Sequence, residues 1–280
     1  MCIAGCTDPR KAEISSLKSQ KTFLEGIVAK DSGKSMGEVA AAFTRLKDVA
    51  HDLAVREKGM GLYKGNKSGD GAAVKATDCT IYVLEVLEDT FKQQNRAEDW
   101  AAVEKQMRAN TKLAGRDKLS GLDLQAALQK MQGWAGLYWA PDPTYPGYSW
   151  YKLKPDEQSY AYTIAKTQKT YYKNNPIVGY PGVTIDKLVV NYAPEHDSKI
   201  PKDTRELERL KKLPFGVFSA HGGLHMCLIV FGLVYEVHWD KKSDSRELME
   251  FKSLEEWGGL GKWGSGAIVA PRADFNKAWG

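Results

Sequence analysis

The segment from Leu224 to Asp240 limits the possible folds more than any other part of the chain. It contains two runs rich in β-branched and aromatic residues, and the runs meet at Gly232-Leu233. Glycine at the first position of a two-residue loop is typical of a type II′ hairpin turn. We therefore expect two antiparallel strands in which Phe231 pairs with Val234.

This register gathers ionisable side chains on one face of the hairpin. Because side chains alternate between the two faces of a strand, His225, Cys227, His238 and Asp240 share a face. Cys227 is then opposite His238, His225 is opposite Asp240, and the other face is uniformly apolar. Two histidines beside a carboxylate are typical of the base and the orienting group of a catalytic triad. The alternative is that both histidines simply flank strand ends at the solvent boundary.

The rest of the chain divides into helical and strand-like parts. Apolar residues recur with helical spacing up to about residue 131 and with strand spacing after residue 183. Helices followed by antiparallel strands indicate an α+β fold. The expected helices are two between Lys11 and Arg56, separated near Asp31–Ser35, then Thr77–Phe91, Ala97–Leu113 and Ser120–Met131. The expected strands are VTIDKLVVNY, FGVFSA, HMCLIVF, LVYEVHW and GAIVAP.

The composition excludes several classes of protein. A chain of 280 residues with 42% hydrophobic residues can bury a core, and no apolar run is long enough to span a bilayer. The net charge of +5 favours anionic partners in general. The N-terminal MCIAGC lacks the basic and apolar segments of a secretory signal, so we expect synthesis in the cytoplasm without a signal peptide.

The four cysteines differ in their surroundings. Cys79 lies in the first turn of an expected helix, where the helix dipole and free N–H groups favour a thiolate. Cys227 is a rival nucleophile beside the histidines, whereas Cys2 and Cys6 have no evident role. Burial as an inert thiol is the alternative for Cys79. Since no CxxC or HExxH pattern is present, we expect no metal and no other cofactor.

Aromatic residues are concentrated between residues 134 and 192. Such rings can pack a loop-rich segment, or they can line a groove that binds sugar rings or a peptide. In the second interpretation the candidate substrate-binding residues are Trp139, Tyr148 and Trp150.

Two motifs resemble those of NlpC-type and CHAP-type papain-fold cysteine hydrolases, which cleave peptide or amide bonds in bacterial peptidoglycan. One is the helix start DCTIYV at Asp78–Val83, and the other runs from His225 through Gly232 to His238. The resemblance implies a papain-like α+β fold in which the helix bearing the nucleophile Cys79 packs on an antiparallel sheet. It also implies that His225 is the general base and that His238, or Asp240 in its place, is the third polar residue.

The length of the chain adds to this expectation. A catalytic domain at residues 59–280 would follow an N-terminal helical segment at 1–58. It would carry an aromatic-rich insertion at about 97–182, since Cys79 and His225 lie far apart in the chain.

The resemblance implies a hydrolase that works through a thioester. A chain without a signal peptide further resembles an antibacterial effector delivered by a type VI secretion apparatus to the periplasm of a target cell. Its partners would be peptidoglycan or a peptide, an immunity protein and a secretion-apparatus carrier, but not nucleic acid. Two alternatives stay open: a cysteine-dependent toxin that deamidates, transglutaminates or proteolyses a host protein, and a non-enzymatic module that binds a glycan or a protein.

Overall fold

A computed structural model describes residues 9–29, 33–59, 78–113, 119, 121–141, 187–191, 204–220, 225–240, 245–251, 253–254 and 266–280. This part of the chain has an α+β fold. Its helices are α1 (Pro9–Ile27), α2 (Met36–Lys58), α3 (Asp78–Gln93), α4 (Ala97–Leu113), α5 (Gly121–Gln129), α6 (Thr204–Lys212) and α7 (Arg272–Trp279). None of these helices is long and apolar enough to cross a bilayer.

The expected helices are confirmed, and local signals define their ends. The helix α2 begins after Ser35, whose side chain accepts a hydrogen bond from the Glu38 backbone while the Glu38 side chain accepts one from the Ser35 backbone. This capping box satisfies N–H groups that have no partner within the helix. Gly59 ends α2 in the left-handed conformation, with a φ of 70°.

Within the described residues, seven strands form one sheet in the order β2-β1-β7-β3-β4-β5-β6. Strands β1 and β2 pair in parallel, and every other neighbouring pair is antiparallel. Two strands were not expected, because β1 lies in the aromatic region and the sequence of β6 is largely polar. The strands are β1 (Trp134–Pro141), β2 (Lys187–Asn191), β3 (Phe215–Ala220), β4 (His225–Val230), β5 (Leu233–Asp240), β6 (Ser245–Phe251) and β7 (Gly266–Pro271).

The turn between β4 and β5 corrects the expected register. Ile229 pairs with Val234 and Val230 pairs with Leu233, so the two turn residues are Phe231 and Gly232. Both have positive φ angles, 47° and 79°, which are typical of a type I′ turn rather than the expected type II′ turn. The expected pairing of Phe231 with Val234 is therefore wrong.

The correction changes which residues are opposite each other, but it leaves the faces unchanged. Each residue of β4 is opposite a residue of β5 two positions earlier than expected, and a shift of two preserves the side-chain alternation. Continued along the strands, the observed register places Glu236, not His238, opposite Cys227. It likewise places His238, not Asp240, opposite His225.

Both faces of the sheet are covered. One face packs against helices α2 to α5, and its buried residues include Met226, Leu228 and Val237. The other face packs against α6 and α7, with Cys227 and Ile229 at the contact. The face that was expected to be apolar is thus a core face, and the opposite face of β4 is buried as well.

The main core contains residues from the expected N-terminal segment (1–58) and from the expected insertion (97–182). Ala40 from α2 and Trp100 from α4 pack in the same cluster as Leu87 of α3 and Trp134 of β1. The described residues within 1–58 and 97–182 therefore support the same sheet as the helix that carries Cys79.

Candidate active site

Cys79 lies at the start of the central helix. It is the second residue of α3 and is 4% exposed. The first N–H groups of a helix have no partner within it, and they carry the positive end of the helix dipole. This position stabilises negative charge on a sulfur atom and on an oxygen atom bound next to it.

The first residue of β4 meets the beginning of α3. The Cys79 side chain and the His225 imidazole are hydrogen-bonded. The His225 side chain is 18% exposed, so the imidazole is largely shielded from water. The contact joins a thiol to a base, which is the pairing that activates a cysteine nucleophile.

Glu236 of β5 contacts the other side of the imidazole. Its Oε2 lies 2.6 Å from Nε2 of His225, and the Glu236 side chain is 9% exposed. The two residues are diagonal neighbours on one face of the hairpin. Because Nε2 is engaged by Glu236, Nδ1 is left for the thiol. An ionised carboxylate can only accept, so this contact places a proton on Nε2.

The charge of the site follows from these contacts. Burial lowers the pKa of His225, but hydrogen bonds to Cys79 and Glu236 raise it, and the resulting pKa is about 9. The imidazole is therefore protonated near neutral pH. A protonated ring between two groups that can be anionic favours a thiolate–imidazolium pair.

Cys227 is close to the site but is not suited to attack a substrate. It is fully buried, and burial, followed by the negative charges of Glu236 and Cys79, raises the pKa of its thiol well above the usual value. A thiol that stays protonated is a poor nucleophile. Of the two cysteines that sequence reasoning proposed, only Cys79 contacts a base.

The other candidates are described by their backbone position in a strand, or they lie outside the described residues. His238 and Asp240 belong to β5, where their backbones pair with Glu247 and Ser245 of β6. Trp139 belongs to β1 and pairs with Val189 of β2. Cys2, Cys6, Tyr148 and Trp150 lie outside the described part.

Sequence reasoning missed Glu236. It was expected opposite Ile229, and the register correction brings it beside the histidine instead. The sequence contained a signal for the observed turn, because Phe231-Gly232 is also a two-residue loop with glycine. A type I′ turn, however, needs a left-handed conformation at Phe231, which an aromatic residue rarely adopts.

The described residues contain no group of three or more His, Cys, Asp or Glu side chains that could hold a metal ion. Comparisons of the chain with protein-family models, with curated proteins and with solved structures found no match. A functional conclusion therefore depends on the contacts among Cys79, His225 and Glu236.

Proposed function

We propose that this protein is a cysteine hydrolase that cleaves amide bonds through a covalent thioester. One observation carries the proposal: the continuous contact from Cys79 through His225 to Glu236. A nucleophile, a base and an orienting group in that order form the constellation that acyl-transfer enzymes use.

In the proposed mechanism each group has one step. The Cys79 thiolate attacks the carbonyl carbon of the amide, and the negative charge moves to the carbonyl oxygen. Backbone N–H groups at the start of α3 are placed to stabilise that oxygen. His225 then donates a proton to the leaving amine as the C–N bond breaks, which leaves a thioester on Cys79.

The second half of the reaction uses the same residues. Neutral His225 accepts a proton from water while the water oxygen attacks the thioester carbon. The C–S bond breaks, the acid product leaves, and Cys79 returns as a thiolate beside a protonated imidazole. Throughout, Glu236 holds the ring in one orientation through Nε2 and stabilises its positive charge.

Peptidoglycan is the substrate that we propose. The motifs around Cys79 and His225 resemble those of cell-wall hydrolases, and the net charge of +5 suits an anionic polymer. Action as a delivered antibacterial effector, with an immunity protein and a carrier, belongs to the same proposal. The papain-like arrangement is likewise part of it.

Digestion of purified peptidoglycan tests the proposal. The wild-type protein should release new muropeptides, identified by chromatography and mass spectrometry, whereas Cys79→Ala should release none. Cys227→Ala is the control, since its thiol does not contact a base. Near-native circular dichroism and thermal melting of both variants would show that folding is preserved. Full hydrolysis by Cys79→Ala would overturn the proposed mechanism.

A further inference from the structure

Two cysteines lie close to the His225–Glu236 pair. The sulfur of Cys79 contacts the His225 ring. Cys227 is two residues beyond His225 on the same face of β4, a separation of about 7 Å along a strand. In the observed register Cys227 is also opposite Glu236.

The negative charges of Glu236 and Cys79 both act on the buried Cys227 thiol. The pKa of the Cys227 thiol is raised by burial first, then by the charge of Glu236 and then by the charge of Cys79. Both cysteines are buried thiols that are not in a disulfide. The hydrolytic mechanism uses one of them and leaves the other without a role.

Their different surroundings suit two different redox roles. Cys79 is activated by a base at a helix start, and a thiolate is the form that peroxide oxidises. Cys227 stays protonated in the core, so peroxide does not attack it directly. A buried thiol close to a reactive thiol is placed to react only after the first thiol has been oxidised.

We propose that Cys227 is the resolving thiol of a reversible redox switch, which forms a disulfide with Cys79 after peroxide has oxidised the nucleophile. This inference rests on the proposed function in one respect, namely that Cys79 is the reactive thiol.

The chemistry has two steps. In the first, the Cys79 thiolate attacks one oxygen of hydrogen peroxide, the O–O bond breaks, and a sulfenic acid and hydroxide form. In the second, the Cys227 sulfur gives up its proton as it attacks the sulfenic sulfur, and the S–O bond breaks. The thiol proton leaves with the hydroxyl group as water, so peroxide has accepted two electrons from two thiols.

Closure of the disulfide has a structural consequence. The α-carbons of a disulfide lie about 4.4–6.8 Å apart, and the Cys79 sulfur must exchange its contact with the His225 ring for a bond to Cys227. The bond therefore removes the nucleophile and separates the base from it. It also protects Cys79 from irreversible oxidation to a sulfinic acid.

Peptide mapping under non-reducing conditions tests the switch. The protein should carry Cys2→Ser and Cys6→Ser, so that Cys79 and Cys227 are its only cysteines. After treatment with hydrogen peroxide, we expect a linked peptide pair two hydrogens lighter than the separate peptides. Dithiothreitol should remove the link and restore alkylation of Cys79.

A second variant gives the matched comparison. With Cys227→Ser added, the same peroxide dose should give sulfinic acid on Cys79, and dithiothreitol should then restore only a small fraction of its alkylation. Absence of the linked peptide, or equal recovery of alkylation in both proteins, would overturn the switch. Because the linked peptide is sought with Cys227 present, a folding defect in the serine variant leaves the test intact.

The two proposals can fail separately. The linked peptide is detected without any substrate, so its formation in a protein that does not cleave peptidoglycan would contradict only the proposed function. Cleavage that depends on Cys79 in a protein that forms no link would contradict only the redox switch.

Discussion

Replacement of Glu236 by glutamine tests whether the Glu236 carboxylate stabilises the protonated form of His225. The carboxylate lies 2.6 Å from Nε2 of His225, and glutamine keeps the shape while removing the negative charge. A hydrogen bond to a charged group contributes about 1–1.5 kcal/mol more than a neutral one. Since about 1.4 kcal/mol corresponds to one pKa unit, the pKa of His225 should fall from about 9 to about 8.

Alkylation of Cys79 by two reagents measures this change. Iodoacetate is an anion and is attracted by a protonated imidazole, whereas iodoacetamide is neutral. The ratio of the two alkylation rates should therefore fall as His225 loses its proton. The midpoint of the fall should lie near pH 9 in the wild-type protein, and about one unit lower in Glu236→Gln.

The exposed Glu98 on α4 supplies a control. Its replacement by glutamine removes the same charge outside the contact network of the site, so the midpoint should stay at the wild-type pH. An identical midpoint in Glu236→Gln and the wild-type protein would refute the role of Glu236. If the midpoint pH fell equally in Glu236→Gln and Glu98→Gln, the pKa of His225 would depend on the total charge of the protein and not on its contact with Glu236.

Two further predictions concern packing and backbone strain. Gly37→Ala would place a Cβ atom against the carboxylate of Asp274, which is 1% exposed, so the free energy of unfolding measured in urea should fall by about 1–3 kcal/mol. Asp274→Ala in the same chain should recover part of that loss, and an unchanged stability of Gly37→Ala would contradict the packing. Phe231→Asn should raise the melting temperature, because asparagine adopts the left-handed conformation observed there (φ 47°) at lower cost, with a gain of about 1 kcal/mol. Phe231→Ala keeps the strain, so an equal rise in both variants would contradict this explanation.

Five of the seven described helices, α1 to α5, could be predicted from the sequence because they depend on local signals, whereas α6 and α7 were not expected. The spacing of apolar residues predicted Ala97–Leu113 with the bounds that α4 has in the structure. Turn and cap residues likewise placed the start of α2 at Met36. Such signals act within one or two turns of the chain, so no distant contact is needed to find them.

The sheet could be predicted only in part because its neighbours are distant in the chain. Periodicity indicated most strands, but it could not place β7 between β1 and β3 or pair β2 with β1 in parallel. The order of strands depends on how α2 to α7 cover the two faces, which no local pattern records.

In the candidate site, too, local features could be predicted and contacts between distant residues could not. The helix position of Cys79 and the strand position of His225 were local, and the two residues are in contact. The residue opposite His225 depended on the position of the turn. Because the turn lies one residue earlier than expected, each residue of β4 is opposite a residue of β5 two positions earlier. Tertiary contacts held Phe231 in a conformation that its residue type disfavours, and its N–H donates to the backbone oxygens of Leu213 and Pro214.

The position of β7 has a consequence for synthesis of the protein. Among the described strands β7 comes last in the chain, yet it lies in the interior of the sheet, between β1 and β3. A nascent chain that has emerged only as far as β6 already contains Cys79, His225 and Glu236. It lacks β7, the strand that joins the β2-β1 part of the sheet to the β3-β4-β5-β6 part. Assembly of the candidate site should therefore follow translation of Pro271.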